Sequence, residues 1–194
     1  MPGIAIELTA VIVAVTDEEP RILTIQSGKA LPSGSFESSH RSLQTGLRSW
    51  VEKQTHHPLG YVEQLYTFAD RDRVHDRDRV VSISYLGLTR EAEPQAAGTE
   101  SVWRGWYRYF PWEDWRDGPP KLVARGILPA LRDWTRAAPD TATRRARAQR
   151  VEIAFGGQPW NEELVLQRYE LLFEAGLVPE ARRRRPAPAT PPVL

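Results

Sequence analysis

The first part of the chain contains runs of hydrophobic residues that are typical of β-strands. Residues 4–15 are almost continuously aliphatic or β-branched, and residues 21–26 repeat that character after the turn-forming sequence Asp17-Glu18-Glu19-Pro20. The two runs predict a strand, a hairpin turn and a second strand. Further strand-like segments are residues 61–68, 79–89 and 101–110.

A helical spacing interrupts these strands. Apolar residues recur at i, i+4, i+7 and i+8 at Leu43, Leu47, Trp50 and Val51, which predicts one apolar face of an amphipathic helix. Ser38 or Ser39 is the expected N-cap, and Thr55 and Pro58 mark the expected end.

Two more helical segments follow. Residues 121–137 have apolar positions at nearly helical spacing, although Gly126 and Pro129 predict a break near the middle. Residues 161–175 predict a second helix, with Asn161 as its N-cap and Gly176 after its end. Strands, one helix, strands and then helices indicate an α+β fold, a mixed-sheet sandwich with a short C-terminal helical extension.

This order suggests three parts. Residues 1–137 are expected to form the main ligand-binding domain, and residues 138–180 a polar, Ala/Arg-rich connector with a helical extension. Residues 181–194 combine four arginines with four prolines and are expected to be a disordered tail.

Composition excludes several classes of protein. The 194 residues are 41% hydrophobic and 26% charged, which fits one globular domain with an appendage. No apolar run approaches the roughly 20 residues that span a bilayer, and the N-terminus has no signal-peptide pattern, so we expect a cytoplasmic protein without membrane contact. With no cysteine and four scattered histidines, disulfides and zinc–thiolate sites are excluded.

The net charge of +1 does not predict nucleic-acid binding. Arginines 182–185 supply four positive charges, and removing them from +1 leaves −3. A short basic tail of this kind is commonly just solvated.

Residues 31–55 carry the motif that bears most on function. Gly34, Arg48 and Glu52 stand at three positions of the pattern Gly, five residues, Glu, seven residues, Arg-Glu, aliphatic, any residue, Glu-Glu, any residue, Gly. This segment resembles the Nudix box. His40, Ser49, Lys53 and Thr55 replace the residues that the pattern has at four further positions.

The substitutions remove most of the box's metal chemistry. Positions 49, 52 and 53 share one helix face, where a Nudix hydrolase holds divalent cations against a pyrophosphate. Mg²⁺ takes oxygen ligands, usually with one or two carboxylates. Only Glu52 remains as a possible metal ligand, and Lys53 puts an ammonium where a ligand should be. Arg48 and Glu52 are alternatively a plain i,i+4 ion pair on an exposed helix.

Other segments extend the resemblance over residues 4–180. Residues 61–73 and 79–88 are similar to Nudix-related transcriptional regulators of NAD metabolism, and residues 106–115 and 160–178 to a bacterial subgroup of these regulators. The resemblance implies a Nudix fold that senses a nucleotide such as ADP-ribose without hydrolysing it. It also implies a homodimer.

The resemblance assigns roles to particular residues. No catalytic residue is expected, and ligand binding is expected from Gly34, Arg48, Glu52, Phe68 and Arg79. No cofactor is expected, and Mg²⁺ or Mn²⁺ would be needed only by a hydrolase. The regulators carry a winged helix after the Nudix domain; too few residues follow Val178 for one, so DNA binding is not expected of this chain alone.

Three alternatives stay open at this point. One is a DNA-binding repressor that acts through a partner chain. A Nudix hydrolase that recruits carboxylates from elsewhere would use Glu91, Glu93 or Glu100. The aromatic residues between positions 103 and 115 either stack on an adenine or, more commonly, pack in a core.

Overall fold

The strand β1 (Ile4–Thr16) organises the N-terminal half of the chain. The computed structural model describes residues 3–69, 74–75, 78–91, 101–156 and 160–183. Within β1, alternate side chains from Leu8 to Ala14 are buried, because successive residues of a strand point to opposite faces. The aliphatic run of the sequence is therefore a central strand, as expected.

Six more strands complete the sheet. They are β2 (Glu19–Thr24), β3 (Ser33–Ser35), β4 (Val62–Phe68), β5 (Val74–His75), β6 (Asp78–Leu88) and β7 (Val102–Gly105). The order is β4-β6-β1-β2-β7, with β3 paired to β1 and β5 to β6. Only β1 and β6 are parallel, and the other pairs are antiparallel. The mixed sheet confirms the expected α+β class.

The first hairpin closes with two residues. Asp17 and Glu18 have φ of 51° and 61°, the left-handed values that a tight two-residue turn requires. The turn lets β2 pair with the end of β1, from Val13 opposite Ile22 to Thr16 opposite Glu19. The predicted hairpin is confirmed.

Helix α1 (Leu43–Thr55) covers one face of this sheet. Leu47 and Val51 are fully buried in a core with the inward residues of β1 and β6. The N-cap is Ser42, whose hydroxyl accepts a hydrogen bond from the Thr45 amide at 3.2 Å. The expected caps Ser38 and Ser39 are wrong, because the helix begins three to four residues later.

The chain divides into two compact units, residues 1–109 and 110–194. The second unit contains α2 (Leu128–Arg136), α3 (Thr141–Phe155), α4 (Val165–Glu174) and α5 (Pro179–Arg183). Its core joins Trp112 and Leu131 to Phe155 and Leu171. The sequence boundary at residue 137 therefore falls inside this helical unit, because residues 112–131 pack with the later helices.

Helix α3 corrects the expected connector. Asp140 caps it, accepting from the Thr143 amide at 2.8 Å, and alanine and arginine are strong helix formers. Only Ala154 and Phe155 are buried, so the sequence lacks the apolar stripe that identifies a surface helix.

Two other helix boundaries agree with the predictions from the sequence. A π-helical turn, Val123–Ile127, precedes α2 where a break was expected, and Asn161 caps the turn that leads into α4. Helix α5 shows that the expected tail begins too early, since Ala181 is buried. Residues 184–194 lie outside the described residues. Among the helices that are described, none is both long and apolar enough to cross a membrane.

Candidate functional site

The solvent-facing side of α1 carries the positions singled out by the Nudix-like motif. Ser49, Glu52 and Lys53 are exposed, while Leu47 and Val51 point into the core. The helical period separates these two sets because neighbouring residues turn by about 100°. The three box positions are therefore presented together to solvent on a helix anchored by its opposite face.

Trp50 fixes this helix to β3. Its indole lies flat against Gly34, where a Cβ atom would fall less than 3.0 Å from three ring atoms. The ring Nε1 donates to the Ser35 carbonyl at 2.9 Å. The sequence assigned Gly34 to the approach of a ligand, but in the structure the space beside it is filled by Trp50.

Gln54 adds a second link between α1 and β3. Its side-chain amide donates to the Ser33 carbonyl at 2.8 Å and accepts from the Ser33 amide at 3.1 Å. The side chain of Gln54 thus bonds to both backbone groups of Ser33, as the backbone of a neighbouring strand would. Sequence reasoning missed both residues as positioning residues: Trp50 was assigned only to the apolar face of the helix, and Gln54 occupies a position of the box where any residue occurs.

Lys53 lies over Trp50. Its Nζ is 5.1 Å from the centroid of the indole, within the range of a cation–π interaction. Residues three apart on a helix are neighbours, so the geometry follows from the spacing. Gly34, Trp50 and Lys53 therefore form one cluster on the β3 side of α1, with Glu52 exposed next to it in sequence.

The side chains of α1 do not fit a divalent cation. Hard cations of the Mg²⁺ type need several oxygen ligands, including carboxylates. Positions 49, 52 and 53 offer one neutral hydroxyl, one carboxylate and one ammonium, which repels a cation. No group of three or more His, Cys, Asp or Glu side chains able to hold a metal occurs among the described residues.

Arg48 lies one turn before Glu52 on α1, and its side chain is directed away from Trp50 towards the segment between α1 and β4. Its Nη2 donates to the Gly60 carbonyl at 2.8 Å and its Nε to the Leu59 carbonyl at 3.4 Å. The guanidinium thus holds the segment between α1 and β4. No ion pair joins it to Glu52 in the described structure, so the alternative i,i+4 pair is not formed.

His40 closes the turn before α1. Its Nδ1 accepts from the Glu37 amide at 3.0 Å, and its own amide donates to the Glu37 carbonyl at 3.0 Å. A Cβ at Gly46 would lie 2.8 Å from this nitrogen, so the glycine leaves room for the ring. His40 stabilises the loop at the position where the Nudix pattern has a glutamate.

Phe68 lies away from the α1 cluster. It is opposite Ser82 of β6, whereas the next residue, Ile83, belongs to the core beneath α1. Because side chains alternate, Phe68 lies on the sheet face opposite α1. It is 41% exposed, with the Tyr66 ring centroid 4.7 Å away.

Arg79 is also separate from the cluster. Its Nη2 donates to the carbonyl of Ala69, the residue after Phe68, at 2.6 Å. Of the expected ligand-binding residues, the structure thus groups Gly34 with the exposed side of α1. Arg48 lies one helical turn before Glu52, on the side of α1 away from Trp50, and Phe68 and Arg79 lie near the end of β4.

Glu91 is engaged at the β1–β2 hairpin. Its Oε2 accepts from the Thr16 hydroxyl at 2.8 Å and pairs with Arg21 Nε at 3.4 Å. A carboxylate with two such partners is held in place by the fold. The other two carboxylates considered for a hydrolase, Glu93 and Glu100, lie outside the described residues.

His57, two residues after the end of α1, has a shifted pKa. Its Nε2 lies 3.1 Å from the Thr89 hydroxyl, and its ring meets Trp103 edge-on at 5.9 Å. Burial lowers the pKa of His57 below 6.5. The neighbouring His56 is exposed in a left-handed conformation at the end of α1, so the two rings do not share a role.

The aromatic residues at positions 103–115 are divided between the two units. Trp103 is buried in the core of the first unit and Trp112 in that of the second. Trp115 stacks on Trp160 with ring centroids 4.3 Å apart. Core packing therefore accounts for these three indoles.

The second unit contains a cavity of about 440 Å³. It is lined by Trp134, Thr143, Ala146, Arg147, Arg150 and Glu174. Arg150 donates to both oxygens of Glu174, at 2.6 and 2.8 Å, which lowers the pKa of Glu174. Arg147 stacks on Trp134 and donates to its carbonyl. The charges of this cavity are satisfied within the unit.

The solved structures similar to this chain include Nudix proteins. The Nudix domain of Shewanella oneidensis NrtR complexed with ADP-ribose covers 57% of this chain and 79% of its own, with 20% identity and a TM-score of 0.48. Another structure of NrtR from that organism covers 86% of this chain and 84% of its own, with 18% identity and a TM-score of 0.47.

A third similar structure is a MutT/nudix family protein from Enterococcus faecalis. It covers 54% of this chain and 44% of its own, with 26% identity and a TM-score of 0.45. No protein-family model matches the sequence, and no curated protein matches it.

Proposed function

We propose that this protein binds a pyrophosphate-linked nucleotide, ADP-ribose or a related derivative of NAD, without hydrolysing it. The observation that carries the proposal is the side-chain set on the exposed face of α1. The Nudix-like framework is retained there, with Glu52 as one carboxylate, while Ser49 and Lys53 replace two others. Such a face supports binding of a nucleotide better than it supports metal-assisted hydrolysis.

The sensing role is the finer part of the proposal. A domain that binds an NAD derivative and leaves it intact reports the concentration of that compound. We infer that it does so as part of a homodimeric regulator of NAD metabolism, in line with the sequence resemblance. Light scattering tests the dimer, and gel shifts with DNA upstream of the neighbouring genes, with and without ADP-ribose, test the regulatory output.

Isothermal titration of the whole chain tests ligand binding directly. ADP-ribose and NAD are titrated alongside AMP and ribose 5-phosphate, which lack the pyrophosphate. We expect saturable heat with ADP-ribose and weaker heat with the two fragments. No heat with any nucleotide at high micromolar protein concentration would overturn the proposal.

An incubation of the protein with ADP-ribose and a divalent cation distinguishes sensing from hydrolysis. ADP-ribose incubated with the protein and Mg²⁺ or Mn²⁺ is expected to be recovered intact by anion-exchange chromatography. Release of AMP that is lost in Glu52→Gln would identify a hydrolase instead.

A further inference from the structure

We infer that the ammonium of Lys53 supplies the positive charge that the pyrophosphate meets on α1, so that ligand binding needs no divalent cation. This inference rests on the proposed function and names the residue and the chemistry that make it work. The exposed side chains of α1 lack the oxygen ligands that a divalent cation requires.

The position of Lys53 is set by its surroundings. The ammonium lies 5.1 Å from the centre of the Trp50 indole, and the indole is itself held by Gly34 and by its bond to the Ser35 carbonyl. A cation over an aromatic face loses part of the freedom of a surface lysine. The charge is therefore kept close to β3 while its side chain remains exposed to a ligand.

The charges of the site favour an anion over a cation. A pyrophosphate diester carries two negative charges at neutral pH, and an ammonium is a compact positive charge with three N–H donors. A divalent cation placed beside Glu52 would be repelled by the same ammonium. Lys53 and a metal ion thus exclude one another at this position, and only the lysine is built into the chain.

Because Lys53 is exposed, its contribution to ligand binding should depend on salt concentration. An interaction between a solvent-exposed ammonium and a phosphate is screened by salt. The dissociation constant for ADP-ribose should therefore rise with ionic strength, and the slope should be reduced when Lys53 is neutralised.

The deciding experiment titrates ADP-ribose into the whole chain, once in EDTA and once in excess Mg²⁺. The wild-type Kd is expected to agree within about twofold between the two buffers. Lys53→Gln is expected to raise Kd about tenfold, the loss of one charge-assisted contact. Lys29→Gln is the matched control, because Lys29 is exposed in the turn before β3, and it should leave Kd unchanged.

Reversing the charge at position 53 distinguishes a lysine that binds the ligand from one with only a structural role. Lys53→Glu restores a carboxylate next to Glu52, so its ADP-ribose affinity should become dependent on Mg²⁺. Thermal unfolding of each variant establishes that it is folded, which the exposed position favours.

The possible outcomes separate the two proposals. No binding by the wild-type chain in either buffer overturns the proposed function. Binding that EDTA abolishes, or a folded Lys53→Gln variant with wild-type affinity, overturns the role of Lys53 and leaves nucleotide binding in place.

Discussion

The indole of Trp50 lies so close to Gly34 that no side chain fits between them. The contact joins the middle of α1 to β3, a strand of only three residues. It explains why a glycine stands at position 34 without invoking a ligand. Substitution of Gly34 therefore tests whether the glycine serves packing or ligand binding.

Gly34→Ala is expected to destabilise the protein by about 1–3 kcal/mol, because the added methyl forces Trp50 out of its place. Urea unfolding followed by tryptophan fluorescence measures the change. Gly60→Ala is the control, since a Cβ at Gly60 meets no atom within 4 Å. A Gly34→Ala variant as stable as the wild type would mean that Trp50 does not pack there.

Arg48→Gln should affect stability more than ligand affinity. The variant loses charged hydrogen bonds to the carbonyls of Leu59 and Gly60, at a cost of about 1 kcal/mol for a partly exposed group. We expect a lower unfolding midpoint and an ADP-ribose Kd within about twofold of wild type. Arg41→Gln, at an exposed position before α1, should change neither quantity. A large loss of affinity with full stability would instead place Arg48 on the ligand.

Protonation of His57 should weaken the fold. Burial lowers its pKa in the folded state below the ordinary 6.5, so the folded state binds this proton less readily than the unfolded state. The contribution to the free energy of unfolding is complete above pH 6.5 and is lost as the pH falls through the lowered value. Urea unfolding between pH 7.5 and 5 measures it.

The two adjacent histidines provide matched variants for that experiment. His57→Gln should flatten the pH dependence in this range, whereas His56→Asn should retain it, because His56 is exposed and asparagine tolerates its left-handed backbone. Equal slopes in the wild type and His57→Gln would rule out His57 as the group responsible.

Arg168 and Glu113 form a buried ion pair in the helical unit. Arg168 is fully buried, donates twice to the carboxylate at 2.7 Å and stacks on Trp160 at 3.8 Å. Arg168→Met should cost about 3–5 kcal/mol, because it leaves the carboxylate buried without its cation. The double variant with Glu113→Gln should cost less than the sum of the two single changes.

An exposed ion pair in the same unit is the control for the Arg168 variants. Arg136 and Asp133 are separated by 3.3 Å, with about three quarters of each side chain exposed. Arg136→Gln should cost less than about 1 kcal/mol in the same urea experiment. A similarly small loss in Arg168→Met would contradict the buried pair.

The parts of the fold that the sequence predicts are those with a strong period. The aliphatic run of β1 and the apolar face of α1 are visible in the sequence, whereas the alternate burial along β1 is visible only in the structure. Helix α3 was missed because only two residues near its end are buried. The domain boundary was misplaced for a related reason: the partners of Leu131 lie in helices far along the chain, and spacing alone does not reveal them.

The candidate site was predictable in part. Spacing places positions 49, 52 and 53 on one face of α1, and the structure has all three exposed there. The bond from Arg48 to Gly60 and the contact of Trp50 with Gly34 join residues 12 and 16 positions apart, so they depend on how the loops fold back. A local pattern cannot supply that information.

The parallel pairing of β1 with β6 bears on how the chain folds during synthesis. β1 spans residues 4–16, yet the strand that completes its hydrogen bonding begins at Asp78. β1 leaves the ribosome before β6 and must wait for its parallel partner until more than sixty further residues have followed it. Until then its aliphatic edge is open to pairing with other chains, so slowing translation before residue 88 should promote aggregation of the nascent protein.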